Sequence, residues 1–157
     1  VDEAIALYNQ SLEIKERIGN VQGKAATLHE LGIIYANKGE VDQAIALYHQ
    51  SLEIKERIGN VQGKAATLHQ LGILYANKGE VDEAIKLFQQ SLEIKERIGY
   101  AHGKAMTLWR LGGLAEQQGE YAQAISYLQP ALEILQKLQS PDAEQVREML
   151  ERVIRNS

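Results

Sequence analysis

A segment of 40 residues is repeated almost unchanged in this chain. Residues 60–99 differ from residues 20–59 at only six positions. Residues 1–19 match the second half of the same segment, and residues 100–139 are a more diverged copy of the whole of it. Repeats of about 20–50 residues are typical of solenoids, in which each unit buries its apolar face against its neighbours. The repetition therefore predicts one short solenoid that spans the whole chain.

Each repeat predicts two helices, which we name helix A and helix B. In the central repeat, apolar residues recur along 61–77 at the spacing of one helix face, which predicts helix A. Residues 81–98 predict helix B, and Gly79 and Gly99 suit the left-handed conformation that ends a helix. Gly72 lies in the middle of helix A, where glycine costs roughly 1 kcal/mol relative to alanine. Its recurrence in each repeat predicts a close helix contact within an all-α fold.

The two ends of the array depart from this unit. Residues 1–19 correspond to a helix B without its helix A, so we expect one side of this helix to be exposed unless another molecule covers it. Nearly identical repeats with an open end also favour domain swapping or a homodimer. The residues expected to mediate this self-association are Ile5, Tyr8 and Leu12. Residues 140–157 carry a single apolar stripe, which predicts a helix that caps the C-terminal end.

The composition narrows the classes of function. The net charge is −4 and basic residues are interspersed with acidic ones, whereas nucleic-acid binding favours a basic face. No apolar run approaches the ~20 residues that a membrane helix needs, and the absence of cysteine excludes disulfides and thiolate zinc sites. No phosphate-binding loop, paired His-Glu metal motif or nucleophile elbow is present. We therefore expect a cytoplasmic protein that is not an enzyme and uses no cofactor, metal, nucleic acid or membrane.

The spacing of particular residues resembles the tetratricopeptide repeat (TPR) family. The central repeat carries the family pattern at Leu68, Leu71, Gly72, Tyr75, Gly79, Ala84, Phe88, Ser91 and Leu92. The usual TPR period is about 34 residues. The longer repeat here is similar to those of Pins-type adaptors, kinesin light chains and many bacterial signalling proteins. The resemblance implies a right-handed superhelix whose concave wall, built from the A helices, binds a peptide or helix of a partner protein.

The concave wall can be located on each helix A from the helical angle of about 100° per residue. If Leu28, Leu31 and Tyr35 face helix B, the residues turned away from that face form the wall. The candidate ligand-binding residues are His29, Ile33, Asn37, His69, Ile73, Asn77, Met106, Trp109 and Gln117. The first two repeats thus present ladders of identical side chains, and the third repeat changes them. The Lys-Asn pattern with which some TPR domains clamp a carboxylate does not match these positions.

His29 and His69 allow three interpretations. They pack with local hydrogen bonds, or they contact a ligand together with Asn37 and Asn77, or they bridge a metal between adjacent A helices. Two histidines without a carboxylate make a poor metal site, so no metal is expected. Ligand contact predicts tighter binding of acidic peptides as the pH falls through about 6.5, where imidazole gains a proton. Trp109 allows two interpretations, an anchor for a ligand or a cover for the junction with the capping helix.

A lysine recurs at the start of each helix A, at positions 24, 64 and 104. Because the helices of a pair are antiparallel, these lysines are expected to meet Glu16, Glu56 and Glu96, although a basic edge that steers ligands is an alternative. At the level of function, the leading hypothesis is a protein-interaction scaffold that binds its partner in the groove. The alternatives are a self-assembling repeat module and a regulatory segment of a larger signalling protein.

Overall fold

A computed structural model describes residues 1–157, which form eight α-helices and no strand. The helices are α1 Asp2–Arg17, α2 Val21–Asn37, α3 Val41–Arg57, α4 Val61–Asn77, α5 Val81–Arg97, α6 Ala101–Gln117, α7 Tyr121–Lys137 and α8 Ala143–Asn156. Helices α2, α4 and α6 are the A helices of the repeats, and α3, α5 and α7 are the B helices. Each helix packs mainly against the helix before it and the helix after it. The chain is therefore an all-α solenoid of stacked helix pairs.

The turns between the helices share one backbone conformation, which glycine adopts readily. At the end of α2, Gly39 adopts a φ of 81°, a conformation that costs glycine little because it has no Cβ. The N–H of Gly39 donates to the carbonyl of Ala36 at 3.0 Å, and the N–H of Glu40 donates to that of Tyr35 at 2.9 Å. This pair of bonds satisfies carbonyls that the helix end would leave unpaired. The turn before α8 is the exception, since Gln139 takes the positive φ there.

A glycine in the middle of each A helix sets the distance to its B helix. A Cβ placed on Gly32 would lie 2.8 Å from the Tyr48 ring, and one on Gly72 would lie 2.8 Å from the Phe88 ring. A Cβ placed on Gly112 would lie 2.6 Å from Leu128 of α7. The large B-helix side chain thus rests directly on the A-helix backbone, which confirms the close contact predicted from the recurring glycine.

The leucines of the A helices form the core and determine which face remains for the groove. Leu68 and Leu71 are buried, and with Leu87 and Ile94 of α5 they belong to one apolar cluster. The opposite side of α4 carries His69, which is only partly buried. The A helices therefore turn their leucines toward the B helices and leave the predicted wall uncovered.

The C-terminal helix α8 covers the last repeat, as a capping helix should. Val146, Leu150 and Val153 are buried in the same cluster as the core of α6 and α7. Ile154, which belongs to the apolar residues of this segment, is instead largely exposed. Met149 is partly buried, and it lies toward the groove.

At the N-terminal end, the exposed face of α1 is not the one expected. Ile5, Tyr8 and Leu12 are partly buried and pack against the core of α2 and α3. The apolar side chains that α1 leaves exposed are Leu7 and Ile14. Ile5, Tyr8 and Leu12 lie on the apolar stripe of α1 that packs against α2, and Leu7 and Ile14 lie on a second apolar stripe. None of the eight helices combines the length and the apolar character that crossing a bilayer would require.

Candidate binding groove

The A-helix wall has an apolar cavity between α4, α6 and the capping helix α8. Its volume is about 350 Å³. Five of the nine predicted ligand-binding residues line it, namely Ile73, Asn77, Met106, Trp109 and Gln117. Phe88, Arg110, Gly113 and Met149 complete most of its wall. The structure therefore gathers five of the six candidates of the second and third repeats around one apolar cavity, and His69 is not among its lining residues.

The candidates of the first repeat are distributed differently. His29 lines a separate and more open depression of about 420 Å³, together with Glu30, Lys55 and Asn60. Ile33 is partly buried against the central core cluster, and Asn37 is exposed near the end of α2. The wall thus changes from a polar, shallow surface at α2 to an apolar cavity at α6.

A hydrogen-bond network holds His29 to the neighbouring repeat. Its Nδ1 lies 3.1 Å from Thr67 Oγ1 in α4. Lys55 Nζ donates to the same oxygen at 2.9 Å, and the Thr67 hydroxyl donates to the carbonyl of Gly63 at 3.0 Å. Because the hydroxyl proton goes to Gly63, the oxygen can only accept from the imidazole. We therefore assign the tautomer with a proton on Nδ1, which leaves His29 Nε2 as a hydrogen-bond acceptor.

The network recurs one repeat later with the same geometry. His69 Nδ1 lies 3.1 Å from Thr107 Oγ1, Lys95 Nζ donates to that oxygen at 2.9 Å, and the hydroxyl donates to Gly103 at 3.0 Å. The lysine and the threonine were not among the sequence-based candidates. The 40-residue period could have pointed to them, because a lysine and a threonine also stand at the equivalent positions 15 and 27. Lys15 Nζ lies 2.6 Å from Thr27 Oγ1.

Both histidines are uncharged at neutral pH. Burial, together with the nearby Lys55 ammonium, lowers the pKa of His29 to about 4. Burial, with Lys95 and Arg110 as further causes, lowers the pKa of His69 to about 3. The expectation that imidazole would gain charge near pH 6.5 therefore does not hold. Each ring also packs edge-on against the aromatic residue of its own helix B, at centroid distances of 5.1 Å and 5.2 Å.

The charges of the wall change sign from one end to the other. Equivalent positions carry Glu30 in α2, Gln70 in α4 and Arg110 in α6. Glu116 of α6 accepts two hydrogen bonds of 2.8 Å from the guanidinium of Arg152 in α8. This bidentate pair joins the cap to the last repeat and lowers the pKa of the Glu116 carboxyl. No ion pair involves Arg110, so its charge is available at the edge of the cavity.

Comparison with known proteins identifies the family. The sequence profile of the tetratricopeptide repeat family matches residues 1–57, 23–97 and 63–137. The chain belongs to the tetratricopeptide repeat family. TPR repeats typically act as protein-interaction scaffolds, and the family is generally non-catalytic. A search of curated proteins found no significant match.

Three solved structures illustrate the similarity in fold. BtubC from P. vanneervenii superposes with a TM-score of 0.92 at 20% identity, over 99% of this chain and 65% of that one. A putative kinesin light chain from Podosopora anserina, described as having nearly identical TPR-like repeats, gives 0.80 at 22% identity, over 99% and 78%. The apo form of RapI gives 0.88 at 19% identity, over 97% and 44%. The chain thus spans about two-thirds of BtubC and less than half of RapI.

The lysines at the start of the TPR A helices have a structural role. Lys24 pairs with Glu16 at 2.7 Å, and the equivalent pairs at Lys64 and Lys104 have N–O distances of 3.0 Å and 3.1 Å. Each pair joins the start of a helix A to the end of the preceding helix B. This confirms the predicted pairing rather than a row of free cations. No cluster of three or more potential metal ligands is present.

Proposed function

We propose that this TPR chain is a non-catalytic scaffold that binds a peptide or helix of a partner protein along the A-helix wall. The observation that carries the proposal is the position of the apolar cavity. It opens on the A-helix wall between α4 and α6 and is lined by Ile73, Met106 and Trp109. Cavities of a few hundred Å³ with apolar walls and few polar groups are the usual form of ligand sites.

The polar groups of the wall suit a polypeptide ligand. His29 and His69 are neutral, and the hydrogen-bond network leaves each Nε2 as an acceptor. Asn37 and Asn77 are exposed and offer both a donor and an acceptor. Such neutral groups complement the N–H and C=O groups of a peptide backbone, while Trp109 offers a large rigid surface for side chains.

Selection from a random peptide library displayed on phage tests this proposal. Peptides selected with the intact chain are measured again with Trp109→Ala, which is expected to lower affinity at least about tenfold, as for a typical aromatic hot spot. Glu53→Ala, on the exposed outer side of α3, is the control and should leave affinity unchanged. Selected peptides whose affinity falls with Glu53→Ala and not with Trp109→Ala would refute groove binding.

A further inference from the structure

We infer that the cavity of the third repeat is the anchor site of the groove, and that it takes one large apolar side chain of a partner peptide with an acidic residue beside it. This inference rests on the proposed peptide-binding function and makes its ligand class specific. It depends on three features of α6 that the first two repeats lack.

The first feature is the loss of a side chain at Gly113. The equivalent positions of the other A helices carry Ile33 and Ile73. A Cβ placed on Gly113 would have no neighbour within 4 Å. This glycine therefore differs from Gly112, where a neighbouring side chain touches the backbone. Packing does not require a glycine at position 113, and its effect is to open the space in front of the wall.

The second feature is the apolar surface that surrounds this space. Trp109 and Met106 replace the histidine and alanine of the earlier repeats, and Met149 of α8 supplies a further apolar side chain. Methionine adapts its shape to the side chain that it meets. The volume of about 350 Å³ is at the small end for ligand sites, so it suits one large side chain rather than a whole helix.

The third feature is the charge at the rim. Arg110 is the only charged residue that lines the cavity, it is exposed, and it forms no ion pair. Glu116, the only carboxylate of α6, is already paired with Arg152. A residue that follows or precedes the anchor would therefore meet an unpaired guanidinium, which favours aspartate or glutamate.

The test uses short synthetic peptides as probes. Each is acetylated and amidated, has a Gly-Ser background, and carries a central phenylalanine between two glutamates. Matched peptides replace the phenylalanine with alanine, or the glutamates with glutamine or lysine. Binding is measured by anisotropy of a fluorescein label and by the emission of Trp109, which is the single tryptophan of the chain and lines the cavity.

Two variants separate the contributions of space and charge. Gly113→Ile restores the residue of the other repeats, and it should lower affinity for the phenylalanine peptide at least about tenfold. Arg110→Gln should lower affinity for the glutamate peptide about three- to fivefold, and leave the glutamine peptide unchanged. Arg97→Gln makes the same charge change on the outer side of α5, where Arg97 pairs with Glu93 at 3.5 Å. Arg97→Gln therefore controls for the effect of the protein's net charge on binding.

The outcomes distinguish this inference from the proposed function. Loss of binding in Gly113→Ile with a thermal unfolding midpoint no lower than that of the original chain, and coupling between Arg110 and the glutamates, would support it. Equal affinity of the Gly113→Ile variant and the original chain would overturn it, as would a failure of the phenylalanine peptide to bind at millimolar concentration. Library-selected peptides that depend on His29 and ignore Gly113→Ile would retain groove binding and place the anchor elsewhere. Tighter binding of the lysine peptide than of the glutamate peptide would overturn the inference that an acidic residue lies beside the anchor.

Discussion

Two adjacent glycines of α6 should differ in their response to the same substitution. Gly112→Ala and Gly113→Ala each remove a helix-interior glycine, which stabilises a helix by about 0.8–1.0 kcal/mol. A Cβ on Gly112 would lie 2.6 Å from both Cγ and Cδ2 of Leu128, whereas one on Gly113 would meet nothing within 4 Å. Overpacking of a closed core typically costs about 1–3 kcal/mol. Gly113→Ala should therefore stabilise the fold by about 1 kcal/mol, and Gly112→Ala should be about 1–3 kcal/mol less stable than Gly113→Ala.

The comparison is informative because the helix-propensity gain cancels between the two variants. Urea unfolding followed by circular dichroism at 222 nm gives the free energy of unfolding, and the slope should stay constant if only stability has changed. In thermal unfolding, a chain of this size should shift by about 2–4 °C for each kcal/mol. If Gly113→Ala destabilises the chain, or if both variants shift equally, the assignment of one glycine to packing and the other to an open cavity is wrong.

Three further predictions concern the polar network. Thr67→Val keeps the side-chain shape but removes the oxygen that accepts from both Lys55 and His29. It should lower the free energy of unfolding by about 1–3 kcal/mol, measured in the same urea assay. Thr27→Val is the control and should have a milder effect. The pKa of His29 is about 4 in the folded state and about 6.5 in the unfolded state, so the unfolded state binds more protons between pH 4 and pH 6.5. The free energy of unfolding should therefore fall as the pH decreases from 6.5 to 4. His29→Gln should make this pH dependence weaker. Burial lowers the pKa of Lys95 to about 8 from 10.5, so stability should rise as the pH increases from 8 toward 10.5. Lys95→Met should reduce that rise, and the remainder comes from Lys55, whose pKa is also lowered by burial.

The repeat period made most of the fold predictable. The helix A expected over residues 61–77 is α4, and the recurrent Gly72 marked the contact with Phe88. Both signals are local, because helical spacing and an out-of-place glycine are visible within one repeat. The side on which α1 is open was not predictable in this way. Helix B carries two apolar stripes, and only the packing of Leu47 against α2 shows which stripe faces the preceding helix A.

The sequence did not predict the buried lysines or the cavity, and the reason is different. Lys55 and Lys95 are charged residues on amphipathic helices, where solvent exposure is the ordinary expectation. Their hydroxyl partner lies twelve residues further along the chain on the next helix, so the pairing depends on how two helices are stacked. The cavity depends on an absent side chain at Gly113, and a sequence does not reveal whether a neighbour fills the space that a glycine leaves.

For the proposed peptide ligand, the nearly identical repeats pose a problem of register that the third repeat would solve. A peptide segment that contacted only the ladder residues of one A helix would meet the same side chains on α2 and on α4, so those contacts cannot fix its position. Specificity is a difference between affinities, and it requires a site that occurs once. Trp109, Arg110 and Gly113 occur once, at the end of the wall that α8 closes with Met149. The ladders can contribute affinity along the groove, but the position of a ligand has to be set where the repetition stops.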